Sequence, residues 1–99
     1  MLALVLPTDL DQSVIADLHP RFLEALAEPA ITIDGSSVQH ADVAGVQLLC
    51  ALVIAADRRG IPLVWSVVSP ALVTAARLLG VEHVVRIAGV RQDGLEWFD

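Results

Sequence analysis

Short apolar runs alternate with longer segments of helical periodicity along this chain. Residues 2–6, 30–33 and 61–68 are rich in Val, Ile and Leu and are bounded by Pro, Gly or Asp, which is typical of buried strands. A fourth strand or extended segment is predicted over residues 83–87. Because these runs are continuously apolar, the pattern predicts a mostly parallel sheet covered by helices.

The first predicted helix contains a conflict. Apolar side chains recur every four residues from Val14 to Leu26, and Asp11 or Ser13 is suited to cap the helix start. Pro20 lies inside this pattern, where proline removes one helical hydrogen bond and clashes with the preceding turn. Two alternatives stay open: a helix that kinks at Pro20, or a loose first turn followed by a helix that begins near Pro20.

Two further helices have clear start and stop signals. Asp42 is a good N-cap for a helix over residues 43–59, and Gly60 ends it. Ser69-Pro70 places a capping Ser before a Pro at the first helical position, so a third helix is predicted to run to Leu79.

The order of these elements predicts the fold class. A β-α-β-α-β-α-β order with right-handed crossovers indicates one α/β domain with a mostly parallel, four-stranded sheet. We expect this single domain to span residues 1–99, with residues 90–99 as a tail that carries Trp97 and Phe98.

Composition and charge narrow the function classes. Hydrophobic residues make up 56% of the 99 positions, and twelve Asp and Glu against six cationic residues, all Arg, give a net charge of −6. Such a chain is a poor ligand for nucleic acid or for an anionic membrane, and the lack of Lys excludes P-loop and Schiff-base chemistry. The apolar stretch over residues 43–56 is shorter than the roughly 20 residues of a spanning helix. No signal peptide is recognised, and the single Cys suits a reducing cytoplasm.

No pattern of residues in the sequence indicates a catalytic site or a metal-binding site. Cys50 lies mid-helix among apolar residues, where a Cys is usually a small core hydrophobe. His19, His40 and His83 are far apart and share no metal-ligand spacing. We therefore expect no enzyme activity, no metal and no cofactor.

The segment around Asp42 carries the sharpest signal for function. Val43, Ala44 and Gly45 place small or compact side chains on the first helical turn, where backbone N–H groups are unpaired. Two interpretations are equally consistent with the sequence: another surface or an anion approaches the backbone here, or the small residues allow close packing on the sheet. His40, just before this turn, is placed either to contact a ligand or partner or to lie solvated in its loop.

The second helix is apolar on more than one side. The stripe from Val46 to Ala56 is sufficient to cover the sheet, yet Ala51 and Ile54 lie on roughly the opposite side, in line with Gln47. Helices that are apolar nearly all round are buried or contact a partner. We therefore hypothesise a protein-binding surface along Gln47, Ala51 and Ile54 beside the Asp42 turn.

These features resemble those of the sulphate transporter and anti-sigma factor antagonist (STAS) domain. The resemblance covers nearly the whole chain, roughly residues 4–87, and implies the STAS fold. It is carried by motifs in their family order and spacing: Leu10-Asp11, the strand-end Asp34, the helix-start Asp42, Asp42-Val43-Ala44-Gly45-Val46 in place of D-S-S-G-L, Gly60-Ile61-Pro62-Leu63-Val64, Ser69-Pro70 and Leu79-Gly80-Val81.

One departure from the STAS pattern affects regulation. In anti-sigma factor antagonists, the second Ser of D-S-S-G is phosphorylated by the anti-sigma kinase, which blocks binding; here that position is Ala44, and its neighbour is Val43. The resemblance therefore implies a bacterial signalling module that regulates transcription and binds an anti-sigma factor, a serine-kinase-like protein or another signalling protein without the phospho-switch.

Other functions stay open beside this one. The Ala44-Gly45 pair is also similar to STAS subunits that dock on the ATPase of an ABC lipid transporter, although Val43 replaces their Thr. A nucleotide or small-ligand sensor with its site at the helix start after Asp42 is a further alternative. The sequence is compatible with a weak homodimer and does not decide the oligomeric state.

Overall fold

The computed structural model describes residues 2–87 as an α/β domain with two small parallel sheets. The main sheet has three strands in the order β1-β3-β5, and a separate ladder pairs β2 with β4. In chain order the elements are β1 (Leu2–Val5), β2 (Asp9–Leu10), α1 (Ile15–Ala25), β3 (Ile31–Gly35), β4 (His40–Ala41), α2 (Val43–Arg58), β5 (Leu63–Val68) and α3 (Pro70–Leu78).

One face of the main sheet packs against the core, and the other face is exposed. All its strand pairs are parallel, as the apolar runs predicted. Leu4, Ile31 and Ile33 point into one core cluster that also receives buried side chains from all three helices. Side chains that alternate with them, such as Val5 and Val64, are exposed. In the described part of the chain, the helices therefore cover one face of the sheet.

The structure excludes a helix that begins near Pro20. After one turn of 3₁₀ helix (Gln12–Val14), α1 runs without interruption through Pro20, whose ring lies on the exposed side. Asp11 caps the 3₁₀ turn by accepting a hydrogen bond of 2.9 Å from the Ser13 N–H. The apolar stripe predicted for this helix is buried, with Leu18 and Phe22 at its centre.

The predicted strand over residues 83–87 is wrong. Residues 82–86 form consecutive turns, in which the Val85 N–H donates to the Val81 carbonyl at 3.0 Å and Arg86 adopts a positive φ of 62°. Val85 and Ile87 are nevertheless buried, and the Trp65 indole N–H donates to the Val85 carbonyl at 2.8 Å. The apolar content that suggested a strand instead anchors a compact turn against the core. For residues 2–87, the four-stranded sheet is thus replaced by three strands plus the separate pair.

The short β2–β4 ladder was not predicted from the sequence, which placed His40 in a loop. The Thr8 carbonyl accepts hydrogen bonds from the N–H groups of Gln39 (2.8 Å) and His40 (3.2 Å), and the Leu10 carbonyl accepts one from the Asp42 N–H (3.1 Å). This ladder holds the start of α1 beside the start of α2. The predicted tail with Trp97 and Phe98 lies outside the described residues.

We predict that Pro20→Ala stabilises the domain. Alanine restores a backbone donor and removes the ring from the helix interior, so we expect the free energy of unfolding to rise by about 1 to 2 kcal/mol. Urea denaturation monitored by circular dichroism measures the change. Pro29→Ala, between α1 and β3, is the control and should give no gain, since proline outside a helix mainly restricts the unfolded chain. Equal gains in both variants would contradict the helical explanation.

Candidate functional site

The carboxylate of Asp42 joins the starts of two helical segments. Its Oδ1 accepts a hydrogen bond from the Gly45 N–H at 2.8 Å and so caps α2, as predicted. Its Oδ2 accepts a second bond from the Gln12 N–H at 3.2 Å, which belongs to the 3₁₀ turn before α1. One exposed side chain therefore sets the relative position of both helix starts.

Gly45 is buried where α2 meets the last residue of β2, Leu10. A Cβ atom at this position would lie 2.0 Å from the Leu10 carbonyl oxygen and 2.6 Å from its carbon, closer than any side chain permits. Of the two interpretations of the small residues, approach of another molecule or close packing, Gly45 therefore serves close packing. Its neighbours differ, because Ala44 is half-buried and Val43 is 51% exposed. Val43 remains available to another molecule.

The outer face of α2 has the exposure that its pattern predicted. The stripe from Val46 to Ala56 is buried, whereas Gln47, Ala51 and Ile54 are exposed, Ile54 to 42%. These three side chains share the face of α2 directed away from the core. We call them, together with Asp42, Val43 and Ala44, the α2 surface.

A groove of about 740 Å³ opens on another side of the Asp42 turn, between the start of α2 and α3. His40 and Val43 line it from one side, while Ala75 and Leu78 line it from α3. Leu78 is 82% exposed, which is unusual for a large apolar side chain. The sequence predicts His40 and Val43 as site residues but no residue of α3. The adjacent pair Leu78-Leu79 at the helix end was the available signal, since both point away from the buried stripe.

Two side chains named in the sequence analysis, Cys50 and Asp34, have shifted pKa values with clear structural causes. Cys50 is half-buried, and burial raises the pKa of its thiol, which favours the neutral form. Hydrogen bonds from the Ser36 side chain and backbone lower the pKa of Asp34, whose Oδ1 lies 2.9 Å from the Ser36 nitrogen. Asp34 thus closes the turn after β3 and does not line the groove.

Neither a metal-ligand group nor a membrane-spanning helix is found in residues 2–87. This part of the chain holds no group of three or more His, Cys, Asp or Glu side chains suited to a metal ion. None of its helices has both the length and the apolar character needed to cross a membrane.

A family model described as "Mlab, STAS domain" matches residues 2–88, nearly the whole chain and all of the elements described above. No curated protein matches the chain, and no solved structure matches it.

We predict that Gly45→Ala disrupts the junction at Asp42. The new methyl group has no space beside the Leu10 carbonyl, so we expect the free energy of unfolding to fall by about 3 kcal/mol. Gly60→Ala is the matched control: nothing lies within 4 Å of the position that its new methyl group would take, and only its positive φ of 67° opposes the change, at about 1 kcal/mol. Equal losses in the two variants, measured by chemical denaturation, would show that the close approach is unimportant.

Proposed function

This chain belongs to the STAS domain family, and we propose that it is a non-enzymatic module that binds a regulatory protein partner through the α2 surface. STAS domains are in general binding modules that take protein partners. In this proposal the partner is an anti-sigma factor, a serine-kinase-like protein or another signalling protein of a bacterial cytoplasm, and the module acts in the control of transcription.

The observation that carries the proposal is the exposed apolar character of the α2 surface. Val43 and Ile54 are about half exposed, and Ala51 between them adds no polar atom. The core is complete without these side chains, because the opposite stripe of α2 already covers the sheet. Exposed apolar side chains that contribute nothing to the core favour a binding surface.

Regulation of this binding differs from the usual STAS switch. Phosphorylation of a Ser at the position of Ala44 would add a charge of roughly −1.5 to −2 to the α2 surface. Neither Ala44 nor Val43 has a hydroxyl group to accept a phosphate. Ser36 and Ser37 precede β4 and match no phosphorylated position of the family. We therefore propose that the module is always competent to bind or is regulated by a route other than phosphorylation of this turn.

A second candidate function follows from the absence of a hydroxyl group at Ala44 and Val43. A subunit that docks permanently on the ATPase of an ABC lipid transporter needs no phospho-switch, which suits Ala44 and Gly45. The two candidates predict different partners and the same surface. Genes beside the one for this chain would separate them: a serine-kinase-like anti-sigma factor supports the first candidate, and an ABC ATPase with a permease supports the second.

We predict that charged substitutions on the α2 surface abolish partner capture. Tagged wild-type protein, Val43→Asp and Ile54→Asp are used to retrieve partners from source cells, with quantitative mass spectrometry as the readout. Because an acidic group is costly to bury in an apolar interface, we expect at least a tenfold loss of a partner that the wild type retrieves.

Val64→Asp is the matched control for this experiment. Val64 is 56% exposed on the open face of the sheet, so the same charge is introduced away from α2. It should retain the partner, and circular dichroism verifies the fold of every variant. Full capture of the partner by folded Ile54→Asp would show that the partner does not bind through the α2 surface. Saturable binding of ATP or GTP with no protein partner would replace the proposal with a nucleotide sensor.

We predict that the Asp42 turn accepts no phosphate. After incubation with ATP and a kinase of the anti-sigma type, mass spectrometry should find residues 42–46 unmodified in the wild type, because they carry no hydroxyl. Ala44→Ser supplies the missing group and serves as the matched positive control. A phosphate on the wild-type segment would mean that the alignment with the STAS motif is shifted.

A further inference from the structure

A smaller groove, of about 230 Å³, lies between α1 and α2, and we call it the α1–α2 groove. The buried side chains of Phe22 and Leu52 lie at its floor, and Leu23 and Ala51 border it at the surface. Leu23 is 54% exposed, so the groove continues into apolar surface on α1. Small-molecule pockets usually have volumes of roughly 300 to 1,000 Å³, so this groove suits single apolar side chains better than a cofactor.

The α1–α2 groove carries basic residues and no acidic ones. His19 and Arg59 line it, and none of its lining residues is Asp or Glu. Arg58 lies one position before Arg59, and within residues 2–87 neither guanidinium forms a hydrogen bond or an ion pair. In a chain with a net charge of −6, this groove therefore presents positive charge beside an apolar wall.

The last twelve residues of the chain, 88–99, carry the complementary chemistry. They contain three acidic side chains against the single cation Arg91, and residues 95–99 read Leu-Glu-Trp-Phe-Asp. Aromatic side chains bury a large apolar area, and opposite charges at the border of a contact fix its orientation. A segment in which aromatic and acidic residues are neighbours therefore matches an apolar groove with arginines at its border.

The described part of the chain ends within reach of the α1–α2 groove. The Arg86 Nη2 atom lies 2.8 Å from Asp57 Oδ1, which places Arg86 beside the last turn of α2. Twelve residues beyond Ile87 span up to roughly 40 Å when extended, whereas a helix with its side chains is about 10 to 12 Å across. The segment is therefore long enough to cross α2 over Ile54 and Arg58 and to enter the groove on the other side.

We propose that the α1–α2 groove binds residues 88–99 of the same chain. An aromatic side chain of this segment fills the space between Leu23 and Ala51, and a neighbouring carboxylate lies beside Arg59. Because Ala51 belongs to the α2 surface, the bound segment covers part of the surface that the proposed function assigns to the partner.

Attachment to the same chain makes weak binding sufficient. A short flexible linker gives an effective concentration on the order of 1 mM, so a groove with a Kd of about 0.1 mM for the segment is about nine-tenths occupied. A partner that needs the covered part of α2 then binds about tenfold more weakly than it binds the open groove. This regulatory consequence rests on the proposed function, whereas the docking itself does not.

We predict that the end of the segment is protected from chymotrypsin in the full-length protein. The protease cleaves after Trp97 and Phe98, and a synthetic peptide of residues 88–99 gives the rate for the free segment. We expect cleavage in the protein, followed by mass spectrometry, to be about tenfold slower and independent of protein concentration. In isotopically labelled protein, the Trp97 ring should show nuclear Overhauser effects to the methyl groups of Leu23 and Ala51.

Three variants test which side chains are responsible. Leu23→Glu adds a charge that repels the acidic segment, and Arg58→Gln with Arg59→Gln removes the attracting charges. Each should speed cleavage at least threefold. Arg21→Gln is the matched control, because Arg21 donates instead to the Val5 carbonyl at 3.0 Å. It should leave the protection unchanged, and circular dichroism verifies the fold of every variant.

Several outcomes would overturn the docking. These are wild-type cleavage at the rate of the free peptide, and protection that survives Leu23→Glu. Nuclear Overhauser effects from Trp97 to Val5 or Val64 would instead place the segment on the open face of the sheet. Protection that grows with protein concentration would identify the segment of a second copy as the occupant.

Partner binding tests the regulatory consequence separately. Trp97→Ala with Phe98→Ala should raise the affinity for a captured partner about tenfold, because the α2 surface is then uncovered. Unchanged affinity would overturn the regulatory role and leave the proposed function standing. Failure to capture any partner through α2 would overturn the proposed function and leave the docking standing, since protease protection is measured without a partner.

Discussion

The contact between the start of α2 and the backbone at Leu10 determines how the Asp42 turn and the starts of the first two helical segments are arranged. Gly45 approaches the Leu10 carbonyl more closely than any side chain allows, and the Leu10 carbonyl also accepts the Asp42 N–H. The Asp42 carboxylate then connects Gly45 with Gln12. Because these bonds involve one short segment, the helix starts cannot move independently without losing several of them together.

This arrangement accounts for the residues that remain on the surface. With Gly45 directed inward, the helical period places Val43 and Gln47 outward, and Ile54 continues the same line two turns later. The sheet needs only the opposite stripe of α2, so the outer apolar side chains contribute little to folding. Under the proposed function, these side chains form the partner-binding surface. The missing hydroxyl at Ala44 concerns regulation rather than the shape of the turn, since Asp42 caps the helix without it.

The packing of α3 adds a second feature to the same end of the molecule. Its buried side chains, Leu72, Val73 and Ala76, secure one face of the helix to the core. The remaining face meets the start of α2 across the groove, with Leu78 exposed at one wall. Leu78 thus lines the same groove as Asp42 and Asp11, although it is 36 and 67 residues away from them in the sequence.

Local signals in the chain were enough to predict the helices, the parallel main sheet and the cap at Asp42. These signals are the apolar period, capping residues and turn-forming Gly and Pro, which act over a few positions. The STAS motifs could likewise be found without a structure, and so could the exposure of Gln47, Ala51 and Ile54, because helical period is a local property.

The remaining features depend on contacts between distant segments and emerge only in the folded chain. Residues 83–87 are as apolar as a strand, but Trp65 and the core hold them as a turn. The two-residue strands β2 and β4 are too short to produce a periodic signal and exist through their mutual pairing. Pro20 is tolerated in α1 because its ring lies on the exposed side, and the groove forms only when α3 is placed beside the Asp42 turn.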